Sequence, residues 1–358
     1  MNNEGSLVVL TPGFPVSEAD TTCLPMQQDL IRAIKKTYPD LDIVVLSFHY
    51  PYHVSTYRWH GVTVMSFNGR NKGGLHRIML RKKIIRAMKK IYSEKRIAGL
   101  LSFWYGECAV IGKKFGKKYG IRHGCWVLGQ DARKTNMYPE RVRPEASELI
   151  ALSDFLQDEF ERNHRIRPEI VVPPGVARQR FAGKAGDRDV DILGVGSLIP
   201  LKQYDIFVEL VAEIKILLPH IRAIIVGDGP EKSQLQKQID ASGLRQNIQL
   251  TGGLPYDEVL RLMQRSKVLL HPSSYEGYSG VCMEALAAGM QVVSFCRAMK
   301  AEIENWHIVQ GKEEMKQEAI SILLHGSSFE ANAGFSIEET AEKMIKFFFD
   351  QCTVVGAP

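Results

Sequence analysis

The sequence has 358 residues, more than one ordinary hydrophobic core accommodates, and is read as two domains. Apolar residues make up 45% and charged residues 24%, an ordinary globular balance, and no apolar run reaches the length of a membrane span. The net charge of +6 conceals an asymmetry: residues 1–150 carry 24 Lys and Arg against 12 Asp and Glu, the remainder 22 against 28, so the first half is the one that attracts an acidic partner.

The opening "MNNEGSLVVLTPGFP" has only a four-residue apolar run, too short for a signal peptide. "SLVVLTP" (6–12) reads as a buried strand closed by Pro-Gly. "QQDLIRAIKKTY" (27–38) reads as an amphipathic helix. Strands are expected at 41–48, 61–67 and 98–104, a helix at 108–120, and a further strand over "GCWVLGQD" (124–131). The segments 148–153 and 169–176 follow. Residues 182–189, "AGKAGDRD", are polar and glycine-containing, as a linker would be. The alternation then restarts: strand 190–198, helix 204–219, strand 222–230, helix 231–244, strand 247–254, helix 256–266, strand 267–273, helix 280–289, strand 290–296. The last helix, 336–352, begins with a capping-box pattern, Ser336 and Glu339. Repeated strand–helix units imply parallel sheets covered by helices, and two such runs imply two doubly wound domains. In such sheets ligands sit at the carboxyl ends of strands.

Six scattered cysteines (Cys23, Cys108, Cys125, Cys282, Cys296, Cys352) show no CxxC pair and read as reduced thiols in a cytosolic protein. The histidines are not paired at ligand spacing with cysteines or carboxylates, and "DRDVD" (187–191) reads as a solvated charge run, so no metal site is expected.

"HPSSYEGYSGVCMEALAAG" (271–289) holds Glu276 and Glu284 on either side of a glycine-rich strand-to-helix turn. Glycine lets a backbone approach a ligand closely, and the free N–H groups of a helix start favour an anion, typically phosphate. A loop carboxylate, a phosphate-holding helix start and a helix carboxylate in sequence suit a nucleotide diphosphate-sugar, whose hydroxyls each contribute a charged hydrogen bond of roughly 1.5–3 kcal/mol. The bland alternative is a helix whose N-terminal acid complements its dipole. "GVGSLIPLKQYD" (194–205) ends a strand near Gly196 and brings Lys202 just ahead of the next helix, where it could hold a diphosphate or simply face solvent. The third glycine of a dinucleotide fingerprint is missing, which disfavours NAD. "VGDGP" (226–230) is a tight turn after an apolar strand.

Together these residues resemble the retaining glycosyltransferases of family 4, with the two-domain GT-B fold. The likeness covers about residues 170–303 and rests on Gly196 with Lys202, "VGDGP", "LTGGL", "HPSSYEG" and the Glu276/Glu284 pair at E-x7-E spacing. The N-terminal half is similar only in outline, through "TPGFP" (11–15), "GQD" (129–131), "IALSDF" (150–155) and "VVPPGV" (171–176). The resemblance implies an α/β architecture of two Rossmann-like doubly wound parallel-sheet domains facing across a cleft. It places an acceptor-binding domain over 1–182, a donor-binding domain over 183–335, and a C-terminal helix over 336–358 expected to pack back on the first domain. It also implies that Lys202 holds the diphosphate, Glu276 contacts the donor sugar and Glu284 the ribose, with Lys202 and Glu276 as the catalytic pair. Gly196, Ser197, Gly227, Gly229, Gly277, Tyr278, Ser279, Gly280 and Val281 complete the donor site, and Gly13 and Asp131 lie on the acceptor side. No metal or cofactor is required beyond a UDP- or GDP-linked sugar as co-substrate. Ser197 stands where many members carry Arg, Leu128 where many carry His, and "SEADTTCLP" (17–25) lacks the usual glycine pair.

The implied activity is transfer of a hexose or N-acetylhexosamine, with retention, to a hydroxyl of a glycan or lipid-linked acceptor in cell-envelope or polysaccharide synthesis. A non-catalytic nucleotide-sugar-binding subunit and a nucleotide-sugar epimerase on the same fold are the alternatives. "HRIMLRKKIIRAMKKIYSEKR" (76–96) puts Leu80, Ile84, Ala87, Met88 and Ile91 on one helical face and six cations largely elsewhere. It is either a packed helix with a solvated basic face or a helix that docks on an anionic membrane, which would place a cytoplasmic protein at the inner membrane face. No nucleic-acid motif accompanies the charge.

Overall fold

Near-continuous apolar runs such as "LVVL" and "IVVLSF" can be satisfied only where both faces of a strand are covered, the condition inside a parallel sheet. In the computed structural model, which describes residues 5–181, 187–325, 329, 331 and 334–349, they form the centres of two such sheets. The chain divides into two units: residues up to Pro174 together with the helix that starts at Ile337, and Gly175–Ser336.

The first unit runs β1 (Ser6–Gly13), α1 (Pro25–Thr37), β2 (Asp42–Tyr50), β3 (Val54–Trp59), β4 (Val62–Phe67), α2 (Gly74–Glu94), β5 (Ile97–Phe103), α3 (Glu107–Tyr119), β6 (His123–Val127), α4 (Tyr138–Val142), β7 (Leu149–Ala151), α5 (Asp154–His164) and β8 (Ile170–Val171). Its sheet has the order β3-β4-β2-β1-β5-β6-β7-β8, parallel except for the β3–β4 hairpin. Strand order therefore reverses between β1 and β5. Local signals set the helix ends. Pro25 opens α1, where its missing N–H costs nothing. Ser153 caps α5 by accepting from the Leu156 amide at 3.1 Å, and Gly120 closes α3 in the left-handed conformation.

The second unit runs β9 (Val190–Val195), α6 (Tyr204–Ile214), β10 (Ala223–Val226), α7 (Lys232–Ala241), β11 (Ile248–Gly252), α8 (Tyr256–Gln264), β12 (Ser266–His271), α9 (Gly280–Ala287), β13 (Gln291–Ser294), β14 (Trp306–Ile308) and α10 (Lys312–His325). The order β11-β10-β9-β12-β13-β14, with every pair parallel, is the dinucleotide-fold order with its reversal between β9 and β12. Phe207, Val208 and Val211 of α6 and Ile225, Val268 and Leu270 of the sheet form its core, with Met315 and Ala319 of α10.

The last helix, α11 (Ile337–Phe349), packs in the first unit against α1 and β5. Phe348 lies so close to Gly99 of β5 that a Cβ at that position would overlap its ring. A helix-end aromatic here fills the notch left by a strand glycine.

The α/β class and the two doubly wound parallel sheets match the sequence-based expectation. β3, α4, α5, β14 and α10 fall outside the expected elements. β3 alternates exposed and half-buried residues as an antiparallel edge strand does, and β14 is only three residues long. "GCWVLGQD" stays extended only to Val127, because Gly129 turns the chain with a φ of 151°. Of the expected linker, 182–186 lie outside the described residues, as do Cys352 and the end of the last expected helix. The other five cysteines are free thiols. Among the described residues no group of three metal-ligating side chains is arranged to hold an ion, and no helix is long and apolar enough to cross a membrane.

Candidate active site

Three neighbouring strands of the second sheet, β10, β9 and β12, end in the three turns that the sequence singles out. The turns are tied to one another. The Gly196 amide donates to the Val226 carbonyl at 3.0 Å, the Leu198 amide to the Asp228 carbonyl at 3.0 Å, and the Glu231 amide back to the Leu198 carbonyl at 3.1 Å. A Cβ on Gly227 would fall on the Gly196 carbonyl oxygen, and its φ of 155° is one that L side chains rarely adopt. "VGDGP" is thus half of a backbone-to-backbone joint, more than a plain turn. Gly229 continues it, its amide donating to the Asp228 carboxylate at 2.8 Å. Ser197, at the tip, is exposed.

Beyond Ser197, the 3-10 turn Pro200–Lys202 is joined to the turn after β12. The amide and hydroxyl of Ser274 and the hydroxyl of Ser273 all donate to the Leu201 carbonyl, at 3.0, 3.2 and 3.2 Å. This seam brings Lys202 onto Glu276 in a direct ion pair, with side chains 17% and 15% exposed. His271, the last residue of β12, places Nε2 3.0 Å from Glu276 Oε1 and 3.2 Å from Ser279 Oγ. A carboxylate can only accept, so Nε2 carries the hydrogen on the Glu276 contact. Burial alone would raise the Glu276 pKa, but His271 and Lys202 outweigh it and hold the carboxyl down at about 2. Burial drives the His271 pKa below its ordinary value, against the upward pull of Glu276. Glu276 is therefore an anion locked between two donors, unsuited to act as a proton-transfer base.

Lys202 has three N–H donors and one carboxylate partner, so phosphate oxygens can take up the others. α9 starts at Gly280 with Ser279 as N-cap, and nothing lies within 4 Å of the position a Gly280 Cβ would occupy. The first amides of this helix start, which follows Glu276 in the same turn, favour an anion. One turn further, Glu284 accepts from Tyr256 Oη at 2.7 Å, and Arg180 lies over the Tyr256 ring at 4.9 Å. Gly277 is buried in the same turn.

The expected donor-site residues Gly196, Lys202, Gly227, Gly229, Glu276, Ser279, Gly280 and Glu284 lie along one carboxyl edge, at the strand-order reversal where ligands bind in this architecture. Tyr278, in the same turn, is buried, 6% exposed. His271, Ser273, Ser274, Tyr256 and Arg180 are additions. His271 stands in the quoted motif, five residues before Glu276, but a buried histidine at a strand end gives no spacing signal of its own. A cavity of about 590 Å³ opens in the loop between β13 and β14, lined by Arg297, Glu302, Trp306 and His307 among others. No member of the Lys202–Glu276 cluster lines it, and the chemistry identifies the cluster as the candidate site.

On the first sheet, Gly13 ends β1, its carbonyl accepting from Thr11 Oγ1 at 2.8 Å. Asp131 is 6% exposed and accepts from the amides of Tyr105 (2.8 Å), Leu128 (3.0 Å) and Gly129 (2.7 Å). Burial pushes its pKa up, against the pull of those amides. Asp131, expected on the acceptor side, thus spends its carboxylate on the amides of its own loop. Asp20, overlooked in the sequence, does the same after β1, taking the amides of Val16, Thr22 and Cys23 at 3.2–3.3 Å and Tyr50 Oη at 3.2 Å. The Asx pattern "DTTC" was its available signal.

A lysine–carboxylate pair and an open helix start at the switch point of a dinucleotide-type sheet define a nucleotide-handling α/β protein of GT-B architecture. Residues 176–343 match the family model described as Glycosyl transferases group 1. The chain is similar to the phosphatidylinositol N-acetylglucosaminyltransferase gpi3 subunit of Schizosaccharomyces pombe, 28% identical over 127 residues, 35% of this chain and 28% of that protein. It is also similar to a 2-deoxystreptamine glucosyltransferase of Streptomyces kanamyceticus, 33% identical over 101 residues, 28% of this chain and 26% of that protein. The matched stretches span about a third or less of those relatives' lengths. Among solved structures, Anabaena HepE in complex with UDP and glucose superposes with a TM-score of 0.70 at 17% identity, covering 96% of this chain and 98% of that one.

Proposed function

We propose that the chain is a glycosyltransferase that moves a hexose or N-acetylhexosamine from a nucleotide diphosphate-sugar to a hydroxyl of a glycan or lipid-linked acceptor. The observation that carries this reading is the Lys202–Glu276–His271 cluster, which Ser279, the N-cap of α9, joins through His271. The diphosphate sits between Lys202 Nζ and the α9 start. Glu276 orients the sugar through its hydroxyls, and Glu284 holds the ribose. Relatives named as N-acetylglucosaminyl- and glucosyltransferases favour a gluco-configured sugar, and the UDP of the HepE complex favours UDP. The lysine and the helix start supply the positive charge that a divalent ion would otherwise bring, so we expect donor binding without one.

In the reaction the bond between the anomeric carbon and the phosphate oxygen breaks. The acceptor oxygen joins that carbon on the same face, and its proton leaves with the nucleotide phosphate. Retention follows from attack on the departing side. A Glu276 held ionised, as its lowered pKa requires, cannot donate a proton to the leaving group, which fits a reaction in which the phosphate itself takes the proton.

The first unit is proposed to bind the acceptor at a membrane from the cytoplasmic side. Leu80, Ile84, Met88 and Ile91 of α2 are buried in its core. Leu75, Ile78, Met79 and Ile85 are exposed on the same helix, along with Lys82, Lys83, Arg86, Lys89 and Lys90. Exposed apolar side chains among cations suit an anionic lipid surface.

The test is a thermal-shift panel of UDP-, GDP- and ADP-sugars with magnesium or with EDTA, on wild type and Glu284→Ala. A shift selective for one nucleotide, unchanged by EDTA and lost in the variant, is the expected result. No shift with any donor would overturn the reading.

A further inference from the structure

The reversal of strand order in the first sheet falls between β1 and β5, and the turn that leaves β5 there is Phe103-Trp104-Tyr105-Gly106-Glu107. Trp104 has a φ of 61°. Arg143 and Arg165 also have positive φ but close helices, where that conformation is ordinary, whereas Leu24 and Gln203 precede helices as N-caps. Trp104 sits between a strand and a helix, where a bulky residue in this region is an outlier that persists only if its surroundings enforce it.

They do. The Trp104 amide donates to the Trp126 carbonyl at 3.0 Å, and the Gly106 amide to the Trp104 carbonyl at 2.9 Å. The Tyr105 amide is held by the buried Asp131 carboxylate, and the Tyr105 carbonyl accepts from Asn136 Nδ2 at 2.8 Å. The Tyr105 ring is buried edge-on against Phe160, centroids 6.1 Å apart. Every neighbour of Trp104 is fixed, while the indole stays half-buried at the carboxyl edge and nothing lies within 4 Å of the position a Gly106 Cβ would occupy. A partly exposed tryptophan is thus held, against backbone strain, at a topological switch point.

A second observation gives the ligand's charge. Glu107, three residues on, pairs with Arg81 and lies 3.8 Å from Arg77 Nε and 3.6 Å from His49 Nε2. Burial would raise its pKa, but His49, Arg81 and Arg77 prevail and keep it an anion. Two arginines against one carboxylate leave positive charge over, and their side chains remain 39% and 37% exposed. Arg77 Nε is a buried donor with no acceptor within hydrogen-bond distance among the described residues. A buried donor in that state calls for an oxygen the chain does not supply.

We propose that this crevice is the acceptor subsite and that it takes an anionic sugar. One pyranose ring stacks its apolar face on the Trp104 indole, and a carboxylate or phosphate on that ring or its neighbour is held by Arg77. Asp131 and Asn136 are positioning residues, acting through the Tyr105 backbone. The inference rests on the transferase reading for the word acceptor, but the sugar site itself does not need the donor site.

Saturation-transfer NMR on the full chain, with UDP present to occupy the donor turn, tests it with three probes: methyl glucoside, glucuronate and glucose 1-phosphate. Wild type should transfer saturation to the ring protons of both anionic probes and less to the neutral one. Trp104→Gly relieves the strained φ, so its melting temperature should stay within about 3 °C of wild type while the signal falls about tenfold. Trp104→Phe should keep part of the signal, and Arg77→Gln should erase the preference for charge. No transfer to any probe in wild type, or an undiminished signal in Trp104→Gly, overturns the proposal. If Trp104→Gly fails to fold, an unchanged signal in Trp104→Phe together with an undiminished anionic preference in Arg77→Gln overturns it. A UDP-sugar thermal shift on the same samples reports the donor site separately, so a shift without sugar binding sinks the subsite alone. Sugar binding without a shift sinks the transferase reading alone.

Discussion

In the second sheet, the turns after β9 and β10 meet backbone to backbone, with glycine where a side chain would collide. In the first sheet, the loops after β1 and β6 are filled from inside by the carboxylates of Asp20 and Asp131, each gathering backbone amides. The same doubly wound architecture thus ends its strands in two ways. Glycine joints leave a bare backbone edge able to approach a phosphate. Carboxylate-centred loops leave a shaped surface of side chains, with Trp104 the most constrained among them. The first construction fits a ligand part common to all donors, and the second an acceptor peculiar to one protein.

The comparison breaks first at Gly227. Gly227→Ala sets a Cβ against the Gly196 carbonyl and forces an L residue to a φ of 155°, so about 4 kcal/mol of stability should be lost, with the donor thermal shift. Denaturant melts measure the loss, and a cost under about 1 kcal/mol would show that the joint yields freely. Lys202→Ala should fold but lose roughly 10²–10³ in turnover, the scale for removing one preorganised donor to a developing anion. Turnover near wild type would remove Lys202 from the diphosphate.

Asp131→Ala is the matching cut in the first sheet. It strands the amides of Tyr105, Leu128 and Gly129 in a buried loop and should cost about 3 kcal/mol. The donor thermal shift should survive it, since every donor residue lies in the other unit. Loss of both together would mean that the two edges are not independently built.

Legibility in the sequence follows the same divide. The donor side was readable because glycine, lysine and glutamate recur at fixed offsets after apolar runs. Gly196, Lys202, Gly227, Glu276 and Glu284 all fall on one edge as those offsets imply. What was not readable was how the turns meet, because Ser273 and Ser274 reach Leu201 across more than seventy residues. Asp131 stands out by its place in "GQD", but nothing in a sequence says whether a loop carboxylate faces a ligand or its own amides. Trp104 gave no signal at all: its φ is imposed by Trp126, Asp131 and Asn136, which lie 22 to 32 residues away in sequence.

The donor edge also leaves a pH signature. Glu276 titrates at about 2 when folded, against an ordinary 4.5. Between those values the unfolded chain binds a proton that the folded chain does not. The stabilisation is therefore complete above about pH 4.5 and is lost as pH falls toward 2. Glu276→Gln should flatten this part of the acid limb by an amount on the order of 3 kcal/mol. An acid limb of unchanged slope would show that the pair with Lys202 does not hold the carboxylate in solution.

The smallest effect on stability, and the last separation of the two units, is expected on α2. Lys82, Lys83 and Arg86 are exposed, and none is ion-paired among the described residues. Reversing them to Glu should therefore change stability by no more than about 0.5 kcal/mol each. Their charge acts instead on the basic first half as a whole, at about 1 kcal/mol per cation near an anionic lipid surface. Wild type should float with phosphatidylserine vesicles and leave them as salt is raised, while the Lys82→Glu, Lys83→Glu, Arg86→Glu variant stays in solution with its melting temperature intact. Leu75→Ser with Ile78→Ser should weaken flotation without changing its salt dependence, because those exposed side chains contribute apolar contact and no charge. Equal retention of wild type on neutral and anionic vesicles would make α2 a packed helix with a solvated basic face. The anionic sugar proposed for Trp104 would then be the acidic partner that the charge of the first half implies.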